Sequence, residues 1–462
     1  MEPLDIHRVY DTRLKVNKPN SIRHLGQIYF KQFKYNEAKK LFLSILEEGK
    51  PQEGEEKEID PDIYNDIACV EYKLGNYLKS LSLFLQYHDL KARTLKENDP
   101  ELSRIYKNLG SVSHQTAMYE EASEYFDKAL AVYEKGAKLS PIDLAILIDE
   151  IGVLQRETAL YDKSMENHLK ALKIYEENYG KKFPDIARVY DNIGFVYRFL
   201  GKYDEALQFH HQALRLYTEI FHKDHPNLAH TYTCIGVIHR LKIENHIALI
   251  NFEKAINIFA RYLATGHIDA AKTYNNIGLI QHELGQHLKA IEQFNKSIKL
   301  YLDNNLEHHP EVAKFYNNIG LANDALGKWN VAIECYLRSE EITKRALGDT
   351  HPTLASYYNN LGVVYKTNNY FREAVKYYMK CWYILNVNFK GPHPHKGDIL
   401  FNLGLLYQKF ERYDEALKAM NRSTLIYQFS FGKKHTKYLR NRYKAANLEC
   451  DQDSFDKNNK FP

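Results

Sequence analysis

Tyr274-Asn-Asn-Ile-Gly278, Tyr316-Asn-Asn-Ile-Gly320 and Tyr358-Asn-Asn-Leu-Gly362 are near-copies of one pentapeptide, set 42 residues apart. The Leu/Ile-Gly ending recurs at Gly26, Gly110, Gly152, Gly194, Gly236 and Gly404, with Ala68 in the one remaining slot. No interval departs from 42 residues, so ten units follow one another without insertion. A fixed period of this kind marks an array in which each unit buries its apolar face against its neighbours.

With that Gly as position zero, other residues fall into register. Tyr stands at minus four in seven units and Ala at plus twelve in eight, with Ser80 and Ser164 in the other two. Pro stands at minus ten in six units, among them Pro100, Pro184 and Pro394. Pro is tolerated in a helix's first turn, where an N–H has no intrahelical partner, and a preceding His or Asp serves as a cap. Turning about 100° per residue puts minus four, minus one, zero and plus three on one apolar side of a first helix. Gly or Asn at plus seven, as in Gly201, Gly285, Gly327 and Asn369, ends that helix in a left-handed conformation. A second helix then runs from about plus eight to plus 25, its Ala at plus twelve expected to face the Gly. Large apolar residues follow at plus sixteen (Phe84, Phe126, Phe252, Phe294, Tyr336).

This pattern resembles the tetratricopeptide repeat, in the 42-residue form found in kinesin light chains. The resemblance covers residues 16–435 and departs from the family in having Tyr at minus four, and Glu150 and Cys234 where other units carry Asn. It implies an all-α, right-handed superhelical solenoid of ten helix-turn-helix units. Residues 1–15 then form a short N-terminal segment, 436–449 a polar capping helix and 450–462 a disordered tail; the acidic stretch Glu53–Glu58 is a surface loop. The N-terminal segment is too short for the coiled coil by which kinesin light chains hold a motor.

The resemblance also implies that the other side of each first helix lines a groove. Minus six, minus two, plus one and plus five lie there, bordered by minus three and plus four. Asn108, Asn192, Asn276, Asn318, Asn360 and Asn402 occupy minus two, and Asn275, Asn317 and Asn359 minus three. An Asn offers one acceptor and two donors, so a row of them suits an extended peptide backbone. Related solenoids use Asn in this way. The alternative is that these amides bond the neighbouring repeat or cap locally. Minus six and plus four together carry eight cations, Arg104, Arg188, Lys272, Lys314, Arg156, Arg198, Arg240 and Lys366, against three Asp. A groove of one sign favours an acidic partner, and apolar residues at plus one, such as Phe195 and Leu321, provide shallow pockets. The Lys/Asn/Arg set with which some tetratricopeptide domains clamp a chaperone's terminal carboxylate is missing.

Composition limits the remaining classes. The 462 residues carry a net charge of +4 and 44% hydrophobic residues, which does not mark a nucleic-acid binder or a disordered chain. Of 36 Tyr, most fall on packed positions, so they are core and not a stacking platform. Five scattered Cys show no paired spacing, and no apolar stretch reaches the roughly 18 residues a membrane span needs. His recurs at plus 31 (His225, His267, His309, His351, His393, His435), spaced too widely to share one metal and placed where a loop cap is useful. No phosphate loop, dinucleotide fingerprint, zinc-protease or serine-hydrolase motif occurs. The chain therefore reads as a cytoplasmic, non-enzymatic adaptor or scaffold without cofactor or metal, binding protein partners through acidic or aromatic-acidic linear motifs. Nucleic acid, a small-molecule substrate and membrane insertion are not expected. The alternative is a regulatory subunit that controls an enzyme on another chain.

Overall fold

The computed structural model describes residues 18–31, 34–48, 60–136, 140–158, 160–221, 225–262, 268–389, 391, 393–431, 433 and 436–458. Among them are 21 α-helices and no strand. Helices pair as hairpins in the 42-residue register, for example Pro184–Phe199 with Tyr203–Ile220 and Pro394–Lys409 with Tyr413–Phe431. Residues 1–15, the Glu53–Glu58 loop and His267 and His435 lie outside the described residues.

Local chemistry sets the helix ends. Pro opens the first helices at Pro100, Pro141, Pro184, Pro226 and Pro394. The preceding Asp99, Ser140, His225 and His393 accept from backbone N–H groups of the first turn, which otherwise lack partners. His351 caps likewise, accepting from the Thr353 N–H at 3.3 Å. Plus seven is left-handed in eight repeats: at Gly75, Gly201, Gly285 and Gly327, at Asn369, and at Ala117, Ile243 and Glu411. Ile243 is the costliest of these, a β-branched residue at φ 63° that is also 83% exposed. Replacing it removes strain without opening a cavity, so Ile243→Gly should raise the unfolding free energy by about 1 kcal/mol. A urea titration checks this, and a loss of stability would contradict it.

Packing between the two helices of a hairpin differs from the sequence expectation in one respect. Plus twelve does lie opposite position zero: the Ser80 and Ser164 hydroxyls donate to the Ala68 and Gly152 carbonyls at 2.8 and 2.7 Å. What covers the Gly, however, is the side chain at plus sixteen. A Cβ on Gly236 would stand 2.5 Å from Phe252 Cε1, and one on Gly320 2.5 Å from Tyr336 Cε1. The ring reaches back one turn toward its helix's N-terminus, as long side chains on a helix do.

The chain divides into two compact units, residues 1–280 with 299–309 and residues 281–298 with 310–462. In the first, one apolar cluster runs from Ala145 through Tyr175, Ile193, Tyr217 and Phe259 to Ala270, so the core is a stripe shared by consecutive repeats. In the second, Tyr336, Tyr378 and Tyr427 are fully buried. The last helix lays Ala445 and Leu448 against Ala416 and Met420. That helix runs Thr436–Asn458, past residue 449 and into the stretch expected to be disordered. No Pro or Gly interrupts it.

Candidate functional site

The Asn positions of the first helices are half-buried and bond from repeat to repeat. In the first unit Asn192 Nδ2 donates to both Asp149 oxygens, at 3.0 and 3.2 Å, and Asn108 Nδ2 to Asn65 Oδ1 at 3.4 Å. Arg23 Nε donates to Asp66 at 2.6 Å between the same two rows. In the second unit Asn360 Nδ2 donates to Asn317 Oδ1 at 2.8 Å, Asn317 Nδ2 to Asn318 Oδ1 at 3.4 Å, and Lys366 Nζ to Asn402 Oδ1 at 3.3 Å. Minus two of one repeat thus meets minus three of the repeat before it. Asn275, Asn276 and Asn359 are half-buried at matching positions.

Beneath this row lies a feature the sequence reading passed over. In the Gly152 and Gly194 repeats His replaces the ring at plus sixteen and Asp replaces Asn at minus three. Both imidazoles are buried, with His168 Nδ1 2.7 Å from Asp149 and His210 Nδ1 2.8 Å from Asp191. Asp149 also accepts from Arg188 Nη1 at 2.6 Å, and Asp191 from the Thr231 hydroxyl at 2.9 Å. Burial alone would raise the Asp149 carboxyl, but His168, Arg188 and Asn192 outweigh it and hold the pKa below the usual carboxylate value. The 19-residue spacing of Asp and His, present in both repeats, was the available signal.

The cations differ in engagement. Arg188 is tied to Asp149, Asp185 and the Tyr175 hydroxyl. Lys314 pairs with Glu311 at 2.7 Å, and Arg104 stands 3.8 Å from Asp143 with 58% of its side chain exposed. Lys272 is exposed. Burial and the nearby Lys409 push the Lys366 pKa down. Arg156, Arg198 and Arg240 are half-buried at plus four of successive repeats, the first two against Phe195 and Phe199. Among the described residues no group of three His, Cys, Asp or Glu could hold a metal ion, and no helix is long and apolar enough to cross a membrane.

A tetratricopeptide repeat family model matches residues 59–135, 143–219, 185–246, 227–303 and 311–381, and a second matches 397–428. Together they cover well over half of the chain, which belongs to the tetratricopeptide repeat family. Proteins of this family are generally protein-interaction scaffolds and generally not enzymes. Among solved structures, a Rap protein complexed with Competence and Sporulation Factor is 14% identical at a TM-score of 0.50, over 84% of this chain and 99% of that one. BtubC (BKLC) from P. vanneervenii is 19% identical, covering 48% and 89% at a TM-score of 0.39. A putative kinesin light chain of Podosopora anserina is 15% identical, covering 45% and 97% at a TM-score of 0.35. At such identities the likeness concerns the fold alone.

Proposed function

We propose that this chain is an adaptor that holds an extended, acidic segment of a partner protein along the polar rows of its first helices. The observation that carries the reading is the state of the Asn360 amide. Asn360 gives one N–H to Asn317, which fixes its orientation, and among the described residues its own carbonyl oxygen accepts nothing. A fixed amide with an unused acceptor and a second N–H matches a peptide unit, which offers one donor and one acceptor. Asn318 and Asn402 stand at the same position of neighbouring repeats in the second unit, and Asn108, Asn192 and Asn276 in the first. Cations exposed at minus six of each unit, Arg104 and Lys272 in the first and Lys314 in the second, attract acidic residues to that unit's own row.

The test uses Asn318→Ala with Asn360→Ala. Removing two half-buried hydrogen bonds to a partner backbone should weaken binding at least about tenfold. Affinity capture from native lysate, wild type against the double variant, identifies partners that depend on these residues. Circular dichroism melts of both proteins verify that the variant folds. Association of a partner so found should slow as salt rises, since the attraction is between exposed charges. Unchanged capture by a folded variant would refute the assignment of these rows.

A further inference from the structure

The arginines at plus four have a geometry that peptide-backbone binding does not use. The guanidinium carbon of Arg156 lies 5.3 Å from the Phe195 ring centre and 5.8 Å from that of Phe199; for Arg198 the distances are 5.2 and 4.9 Å. Two cations therefore share two rings. Arg156 gives Nε and Nη2 to Glu157 Oε1 at 3.2 and 2.9 Å, and its Nη1 is buried with no acceptor among the described residues. Arg198 makes no hydrogen bond or ion pair among the described residues.

Burial, together with Arg156 and Arg240, pulls the Arg198 pKa below its ordinary value, so its charge is under-compensated where it stands. The C-terminal end of a helix favours a cation through its dipole, but a lysine satisfies that equally well. Stacking on shared rings suits the planar guanidinium and holds its N–H groups in a fixed fork. Beside the Arg198 fork, Phe199 is 44% exposed and Leu200 42%, an apolar surface at the edge of the charged one.

We propose that Arg198, braced on Phe195 and Phe199 beside the charge of Arg156, forms a subsite for a phosphoryl group carried by a partner's side chain. A carboxylate brings one charge and two oxygens, which a single guanidinium fork satisfies. A phosphate monoester brings nearly two charges and three oxygens, which suits the open Arg198 fork with the Arg156 guanidinium, itself held by Glu157, within 6 Å of the same ring centre. Arg240, one repeat further on, adds to the positive potential there. The subsite rests on the reading of the first-helix rows as the partner-binding surface and adds a modification state to it. Phosphorylation of the partner then acts as the signal for binding.

Small anions test the subsite without any partner. Phenyl phosphate, benzoate and inorganic phosphate are titrated calorimetrically into the full chain, and into Arg198→Gln and the exposed control Arg93→Gln. Phenyl phosphate should bind at least about tenfold tighter than benzoate, and Arg198→Gln should lose about tenfold, since charge-assisted bidentate bonds are removed. Arg93→Gln should bind as wild type. Benzoate binding as tightly as phenyl phosphate would overturn the proposal, as would unchanged binding by Arg198→Gln. Inorganic phosphate binding more tightly than phenyl phosphate would assign the site to the free ion and likewise overturn it. The Asn318→Ala, Asn360→Ala variant should keep phenyl phosphate affinity in full, so failure of the backbone-binding reading is separately visible.

Discussion

Asp149→Ala is expected to lower the unfolding free energy by about 3–5 kcal/mol, because it leaves a buried imidazole and a cation without their carboxylate. The lower end is favoured, since Arg188 keeps 38% of its side chain exposed and recovers some solvation. His168 has no such recourse, being fully buried with Asp149 as its Nδ1 partner. The cause is separable from mere loss of volume. Asp149→Asn with His168→Phe recreates the amide and ring combination that the Gly320 repeat carries as Asn317 and Tyr336, and should return about half of the loss. Urea unfolding measures both, with hydrogen exchange over residues 141–217 to locate the change. A loss under about 1 kcal/mol for the single substitution would sink the argument. The acid limb adds a second readout. The folded pKa of Asp149 lies below the unfolded value, so its stabilisation is complete above about pH 4 and drains as pH falls through the folded value. Asp149→Ala should therefore flatten part of the stability loss below that pH.

Backbone-level features of the fold were legible because their causes are local. Pro at minus ten, a capping Asp or His before it and a left-handed residue at plus seven each act within one turn of chain, so a 42-residue period exposes them directly. Even the exceptions obey that geometry: Ala117, Ile243 and Glu411 adopt the left-handed conformation although they lack the residue type that favours it. Contacts between helices were harder to read. The residue at plus twelve does face position zero, as expected, but the plus-sixteen side chain that covers the Gly was not foreseen, because helical side chains lean toward the N-terminus.

The polar rows show the same limit more sharply. Helical periodicity places Asn192 and Asp149 on one surface, but their bond spans 43 residues and two repeats, and no local period encodes it. The buried pairs Asp149–His168 and Asp191–His210 are likewise invisible to a wheel drawn on one helix. They join minus three of the first helix to plus sixteen of the second. Both substitutions occur together in two consecutive repeats, where a carboxylate exchanged for an amide is matched by an imidazole exchanged for a ring. Pairing of that kind is expected when burial forbids either change alone.

The second large effect concerns the Gly at position zero. Phe252→Ala removes a fully buried ring and should cost about 3–5 kcal/mol. Gly236→Ala places a Cβ 2.5 Å from Phe252 Cε1, so the ring must shift. Overpacking of this size costs about 1–3 kcal/mol, against which alanine returns up to about 1 kcal/mol of helix propensity. The Ala68 repeat already houses a Cβ while Phe84 stays 3% exposed, so the ring can yield, and the net cost should fall near 1 kcal/mol. In the Phe252→Ala background the obstacle is gone. There Gly236→Ala gains the propensity and refills part of the cavity among Val237, Ala248, Leu249, Ile277 and Ile280, so it should stabilise by about 1 kcal/mol. One substitution that changes sign with the state of one ring is a stronger test than either loss alone. Urea unfolding of the four proteins decides it. Equal effects of Gly236→Ala in both backgrounds would mean that the Gly is not there to admit the ring, and the packing rule read from the other repeats would fail with it.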